Sequence, residues 1–134
     1  MTYVLDASAV IAMLKGETGG SVVDALLAET ADTCAIHVVN LCEVFYDLVR
    51  LMGVESARVV IAETSRSGIV IREDTDSEFW QRAGLYKAEI KRVSLADCFC
   101  MALADRLNAE IITSDRHEFE AVRDQGLCRV TFIR

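Results

Sequence analysis

The sequence predicts a three-layer α/β/α domain around a mostly parallel five-stranded sheet, and three observations carry that expectation. Short, largely apolar runs recur at residues 3–6, 33–38, 69–71, 110–113 and 129–133. Helix-patterned stretches separate each run from the next, as in parallel strands joined by crossover helices. The runs are continuously apolar instead of alternating, which suits strands buried on both faces.

Taken in order, the first strand ends on Asp6. Val10, Ile11, Ala12, Met13 and Leu14 read as a helix stopped at Gly16, and Gly19-Gly20 as a turn. Val22, Val23, Leu26 and Leu27 share one face of the next helix. After the second strand, residues 39–52 form a helix that is apolar almost all round, with Leu41, Val44, Phe45, Leu48 and Leu51. Such a helix is expected to be buried on more than one side. Gly53 ends it, residues 55–66 form a weaker helix, and Gly68 introduces the third strand. Thr75 and Glu78 have the spacing of a capping box for a helix carrying Phe79, Ala83, Tyr86 and Ile90. Ser94 opens a helix over 95–107, dense in Ala, Cys, Met and Phe. The fourth strand ends at Ser114-Asp115, and a short helix stopped by Gly126 precedes the fifth strand. With no repeat and no linker composition, residues 1–134 are expected to form one domain.

Composition narrows the function. A chain of 134 residues can bury about two-thirds of its unfolded surface in one core. The lack of proline and the 52% hydrophobic content fit a compact, helix-rich chain. No apolar run approaches the ~18–20 residues of a membrane span, and Asp6 interrupts what an export signal would keep apolar. A cytoplasmic protein without membrane contact is expected. Cys34, Cys42, Cys98, Cys100 and Cys128 are odd in number and lack zinc-ligand spacing, so reduced, buried thiols are expected. The net charge of −7 argues against a nucleic-acid partner unless part of it belongs to a cation site.

Four acids raise that exception. Asp6 and Asp115 each end a strand and precede a helix, where an N-cap role would suffice. Asp97 stands three residues after Ser94, as the acidic member of a capping box would, and Glu43 could be a solvated helix residue with Asp47 one turn on. Together they read differently. Glu43 and Asp97 lie early in two of the most apolar helices, where an unpaired carboxylate is costly to bury. In a parallel sheet, strand tips and the starts of the following helices share one edge, so all four can meet there. Converging carboxylates repel unless a cation lies between them, and all-oxygen ligation suits Mg²⁺ or Mn²⁺. Such a site mainly serves phosphoryl chemistry and needs no histidine, which fits a chain with only His37 and His117.

Asp6-Ala7-Ser8-Ala9, Asn40-Leu41-Cys42-Glu43-Val44, Leu95-Ala96-Asp97 and Ile112-Thr113-Ser114-Asp115, in this order along the whole chain, resemble the PIN-domain ribonucleases, and in particular the VapC-type toxins of toxin–antitoxin pairs. The resemblance implies a PIN-like fold with a five-stranded parallel sheet, RNA cleavage dependent on Mg²⁺ or Mn²⁺, a homodimer, and inhibition by a small VapB-like antitoxin. It makes Asp6, Glu43, Asp97 and Asp115 the metal-binding and catalytic acids, with Ser8 and Thr113 orienting them. The family often places an aromatic residue three positions after the last acid. Here Glu118 stands there and Phe119 follows, which opens an extra-acid role for Glu118.

Lys87, Lys91 and Arg92 cluster near a helix end and are candidate RNA-phosphate contacts, against the alternative that they complement the helix dipole. Arg116 is a candidate for stabilising developing charge, against a solvated surface arginine. Phe79, Trp80 and Tyr86 are expected in the core or at a dimer contact, and His117 in solvent. Two other functions are open. One is a PIN-type RNA-processing nuclease without an antitoxin. The other is a receiver-like signalling domain, which would want an acidic pair after the first strand and a lysine after the last; neither is present.

Overall fold

The computed structural model describes residues 1–134. The chain runs β1 (Thr2–Leu5), α1 (Ala7–Lys15), α2 (Gly20–Ala28), β2 (Thr33–His37), α3 (Val38–Met52), α4 (Val54–Arg66), β3 (Ile69–Arg72), α5 (Ser77–Glu89), α6 (Leu95–Leu107), β4 (Glu110–Thr113), α7 (Arg116–Asp124) and β5 (Val130–Phe132). The five strands make one sheet in the order β3-β2-β1-β4-β5, and every pairing is parallel.

That order explains the layers. From β1 the chain steps outward through β2 to β3, then returns across the sheet to β4 and continues to β5. Right-handed crossovers place their helices on opposite faces when the direction of travel reverses. The core divides accordingly. Val4 and Ile111 face a cluster formed with α5, α6 and α7, including Phe79, Tyr86, Met101, Leu103 and Phe119. Leu5 and Ile112 face the cluster of α1 to α4, including Val10, Val23, Val44 and Leu48. Each fully buried Leu or Ile contributes about 1.5–3 kcal/mol, and the alternation along β1 and β4 ties both helix layers to the central strands. The reversal lies beside β1, where an open α/β sheet forms a crevice at its C-terminal edge.

Two local devices set how the helices close on the sheet and on one another. His37 caps α3: its Nδ1 accepts from the Val39 N–H (3.1 Å) and its Nε2 donates to the Asp74 carbonyl (2.9 Å). The ring is fully buried and stacked on Phe79, with centroids 5.1 Å apart. Gly19 and Gly20 let the start of α2 close on the rest of the fold. A Cβ on Gly19 would lie 2.4 Å from the Ile133 carbonyl oxygen, and one on Gly20 would lie 2.5 Å from that of Ala12.

Several expectations are corrected. The helix over 39–52 is buried on one stripe only. Leu41, Val44 and Leu48 face inward, while Cys42, Tyr46 and Leu51 are exposed, because the helix belongs to an outer layer flanked by α1, α4 and α6. The cap of α5 is Asp76 instead of Thr75: its carboxylate accepts from the Phe79 N–H (3.3 Å) while Arg106 holds it with two bonds of 2.6 and 2.8 Å. All five cysteines are free as expected, but Cys42 is exposed and Cys128 only half-buried. Phe79 and Tyr86 are core residues, whereas Trp80 is exposed. No helix is long and apolar enough to cross a membrane.

The packing around the glycines is testable. Gly20→Ala should lower the unfolding free energy by about 1–3 kcal/mol through overpacking against Ala12. Gly84→Ala, in mid-α5 with nothing near its Cβ, should raise it by about 0.5–1 kcal/mol; urea denaturation of both checks the contrast. A second expectation concerns acid. Hydrogen bonds from Arg72 and Arg106 hold Asp74 at about 2, and those from Arg106 hold Asp76 at about 2. A depressed carboxyl stabilises the fold above its unfolded value near ~3.9 and loses that contribution as pH falls toward the folded value. Arg106→Met should therefore be less stable than the natural sequence at pH 7, and the difference should shrink between about pH 5 and pH 2.

Candidate active site

Asp6 follows β1 directly and occupies the N-cap position of α1, yet its side chain makes no cap bond. It accepts instead from Ser8 Oγ (2.7 Å) and Thr113 Oγ1 (2.9 Å). The Asp6 N–H donates to the Ile112 carbonyl (3.0 Å), fixing the residue against the end of β4. Both hydroxyls also accept from the turn beyond β4: Ser8 Oγ from the Ser114 N–H (3.0 Å) and Thr113 Oγ1 from the Asp115 N–H (2.9 Å). One small network therefore sets the first acid and places the last.

Glu43 projects from α3 and Asp97 from α6. Between the helices lies Asn40, fully buried, whose Nδ2 donates to Glu43 Oε1 (3.2 Å) and to the Ala96 carbonyl (3.1 Å). Both partners are acceptors, so the amide orientation is determined; its Oδ1 has no partner in the chain. Ser94 Oγ caps α6 by accepting from the Asp97 N–H (3.2 Å). At β4, Asp115 Oδ1 caps α7 by accepting from the Glu118 N–H (3.0 Å). The capping role is real for Asp115 and not for Asp6.

Ligand oxygens of Asp6, Glu43 and Asp97 lie within 4.8 Å of one another, and so do those of Asp97, Asp115 and Glu118. Asp97 is common to both groups. They line an open crevice of about 300 Å³ at the C-terminal edge of the sheet, together with Ser8, Tyr46 and Asp47. Burial pushes the Asp6 carboxyl up, while the Ser8 and Thr113 hydroxyls oppose the rise. Glu43 is pushed up by burial, opposed by the Asn40 bond and reinforced by Asp6 and Glu118. Glu118 is raised by burial and by Asp6, and lowered in part by Ser94 and Lys87. These are like charges held together by the fold.

None of the basic residues expected to meet RNA lines this crevice, although the Lys87 charge reaches Glu118. Lys87 Nζ donates to the carbonyls of Lys91 (2.9 Å) and Val93 (2.7 Å), closing the turn after α5. Lys91 and Arg92 are exposed on that turn, with Arg92 3.1 Å from His117 Nδ1. Arg116 donates to the Arg134 carbonyl (2.9 Å) and lies over Phe132. Sequence reasoning misses Asn40 and Tyr46. Asn40 has a readable signal, its i,i+3 spacing from Glu43; the position of Tyr46 depends on how α3 sits against α1.

The sequence profile of the PIN domain matches residues 3–125. The chain belongs to the PIN-domain family. No curated protein sequence matches it significantly. Among solved structures, this PIN domain superposes on VapBC-1 from nontypeable Haemophilus influenzae with a TM-score of 0.75 at 17% identity, over 99% of this chain and 98% of that one. VapC20 from Mycobacterium tuberculosis, described as a sarcin-ricin loop cleaving toxin, gives 0.71 at 17% identity over 90% and 94%. VapBC-5 from the same organism, described as a member of the VapBC family of toxin–antitoxin systems, gives 0.60 at 26% identity over 99% and 98%.

The donor set fits a hard divalent cation: it consists of carboxylate oxygens, with no thiol or imidazole. Without a cation, removing one charge should relieve repulsion. In EDTA, Asp97→Asn, which keeps the backbone cap to Ser94, should melt roughly 2–5 °C above the natural sequence. A fall in melting temperature would show that the acids do not strain this PIN domain.

Proposed function

We propose that this PIN-domain chain is a cytoplasmic Mg²⁺- or Mn²⁺-dependent endoribonuclease, the toxin member of a type II toxin–antitoxin pair. The observation that carries the reading is the pair of carboxylate triads sharing Asp97 at the crevice beside β1. Asp6, Glu43, Asp97 and Asp115 would hold the cation, and Glu118 widens the set to five acids. A divalent ion held there would supply an activated water and neutralise charge on the scissile phosphodiester.

The chain's own groups prepare that chemistry. Ser8 and Thr113 fix the Asp6 carboxylate and favour its ionised form. Asn40 holds Glu43 at a set distance from the helix that carries Asp97. The acid cluster repels a phosphodiester when empty of cation, so metal uptake and substrate binding are coupled by charge. Similar solved structures described as VapBC-1 and as a toxin–antitoxin complex support a VapB-like antitoxin as partner; the homodimer is part of the proposal. The description of VapC20 supports RNA as substrate. The family match sets aside the receiver-like alternative.

The test combines metal binding with cleavage. Mn²⁺ at about 100 times its dissociation constant should stabilise the natural sequence by about 2.7 kcal/mol. Single-stranded RNA should be cut internally with Mg²⁺ or Mn²⁺ and left intact with EDTA. Asp97→Asn should lose both the Mn²⁺ stabilisation and at least roughly 100-fold of the cleavage rate. A natural sequence that gains no stability from Mn²⁺ and cuts no RNA would overturn the reading. Cleavage without any co-purifying or genetically adjacent antitoxin would favour an RNA-processing nuclease.

A further inference from the structure

The crevice wall holds one aromatic side chain, Tyr46, and two cations stand beside the helix that carries it. On α3, Glu43, Tyr46, Asp47 and Arg50 are spaced i, i+3, i+4 and i+7, so they share one helix face over about 10 Å. Glu43, Tyr46 and Asp47 line the crevice itself. Tyr46 is 45% exposed, and the Arg50 guanidinium lies 5.0 Å from its ring centroid. Asp47 holds Lys15 Nζ, from the last turn of α1, at 2.7 Å. The ridge thus runs from an acid of the crevice to an aromatic ring, with two cations beside it.

We propose that this α3 ridge is the path of the RNA strand away from the acid crevice, with one nucleobase stacked on Tyr46 and the neighbouring phosphates met by Arg50 and Lys15. The proposal rests on the nuclease reading above and adds residues to it. Arg50 covers part of the ring and orders it in advance, so little side-chain freedom is lost when a base stacks on the exposed remainder. Asp47, itself in the crevice wall, pairs with Lys15 and keeps its ammonium beside that wall. Every base has a π face, so such a platform tolerates sequence. The composition also separates RNA from a protein partner. A protein interface core is depleted in charge, whereas here one aromatic stands among Glu43, Asp47, Arg50 and Lys15.

The experiment uses the full chain with Mn²⁺ and a single-stranded oligoribonucleotide that the natural sequence cleaves. Tyr46→Ala should raise KM roughly 5- to 100-fold, the range of one lost base stack, while kcat and the Mn²⁺-induced melting shift change less than about twofold. Tyr46→Trp should restore KM, and Arg50→Ala should flatten the salt dependence of KM. An abasic nucleotide scanned along the substrate should reproduce the loss at one position in the natural sequence and add nothing in Tyr46→Ala. An unchanged KM in Tyr46→Ala, or an abasic penalty that adds fully to it, would overturn the proposal. So would a variant whose defect is a changed oligomeric state or loss of an antitoxin, since the ring would then be a protein contact. If the natural sequence itself takes up no Mn²⁺ and cuts no RNA, the nuclease reading falls and this proposal falls with it; cleavage with an indifferent Tyr46 removes the ridge alone.

Discussion

The pairing of β1 with β4 is the constraint on which the crevice depends. It joins Leu5 to Ile112 in register and brings the Ser8 and Thr113 hydroxyls to the same oxygen of one buried carboxylate. Burial in a low-dielectric environment disfavours an ionised acid, and hydrogen bonds to the charged form oppose that. Asp6 sits at this balance. The same two hydroxyls accept from the backbone after β4, so the placement of Asp115 follows from the contacts that hold Asp6.

The other acids reach the crevice through helices, and each helix is aimed by a polar contact. His37 starts α3, Ser94 starts α6, and Asn40 bridges the two. Apolar packing alone would let the helices rotate or slide by a fraction of a turn, since hydrophobic burial has no direction. The directional contacts select the rotation that brings Glu43 and Asp97 together. Five acidic side chains converge there, so much of the chain's excess negative charge is local, and the overall charge of −7 says little about the remaining surface.

Much of this is legible in the amino-acid sequence alone. Continuous apolar runs ending in Asp6 and Asp115 betray buried parallel strands, because strands covered on both faces read that way. The convergence of the four acids follows from the polarity of such a sheet. What the sequence does not disclose depends on rotation about a helix axis or on competition for a partner. Cys42 and Tyr46 belong to an apolar helix that packs against α1, α4 and α6 and leaves both side chains exposed. Asp76 displaces Thr75 as a cap because Arg106, distant in sequence, holds it. Lys87 reads as free for phosphate, but the carbonyls of Lys91 and Val93 take two of its three ammonium protons.

The order of the strands has a consequence for synthesis. β1 waits beside β2 until β4, far later in the chain, arrives to complete its hydrogen bonding. Asp6 and Glu43 emerge early from the ribosome, but the residues that hold and complete the set, Asp97, Thr113 and Asp115, emerge late. A nascent or truncated chain ending before β4 lacks Thr113, Asp115 and Glu118, whatever secondary structure it has formed. The full acid set is a property of the nearly finished polypeptide, so translation itself delays its appearance.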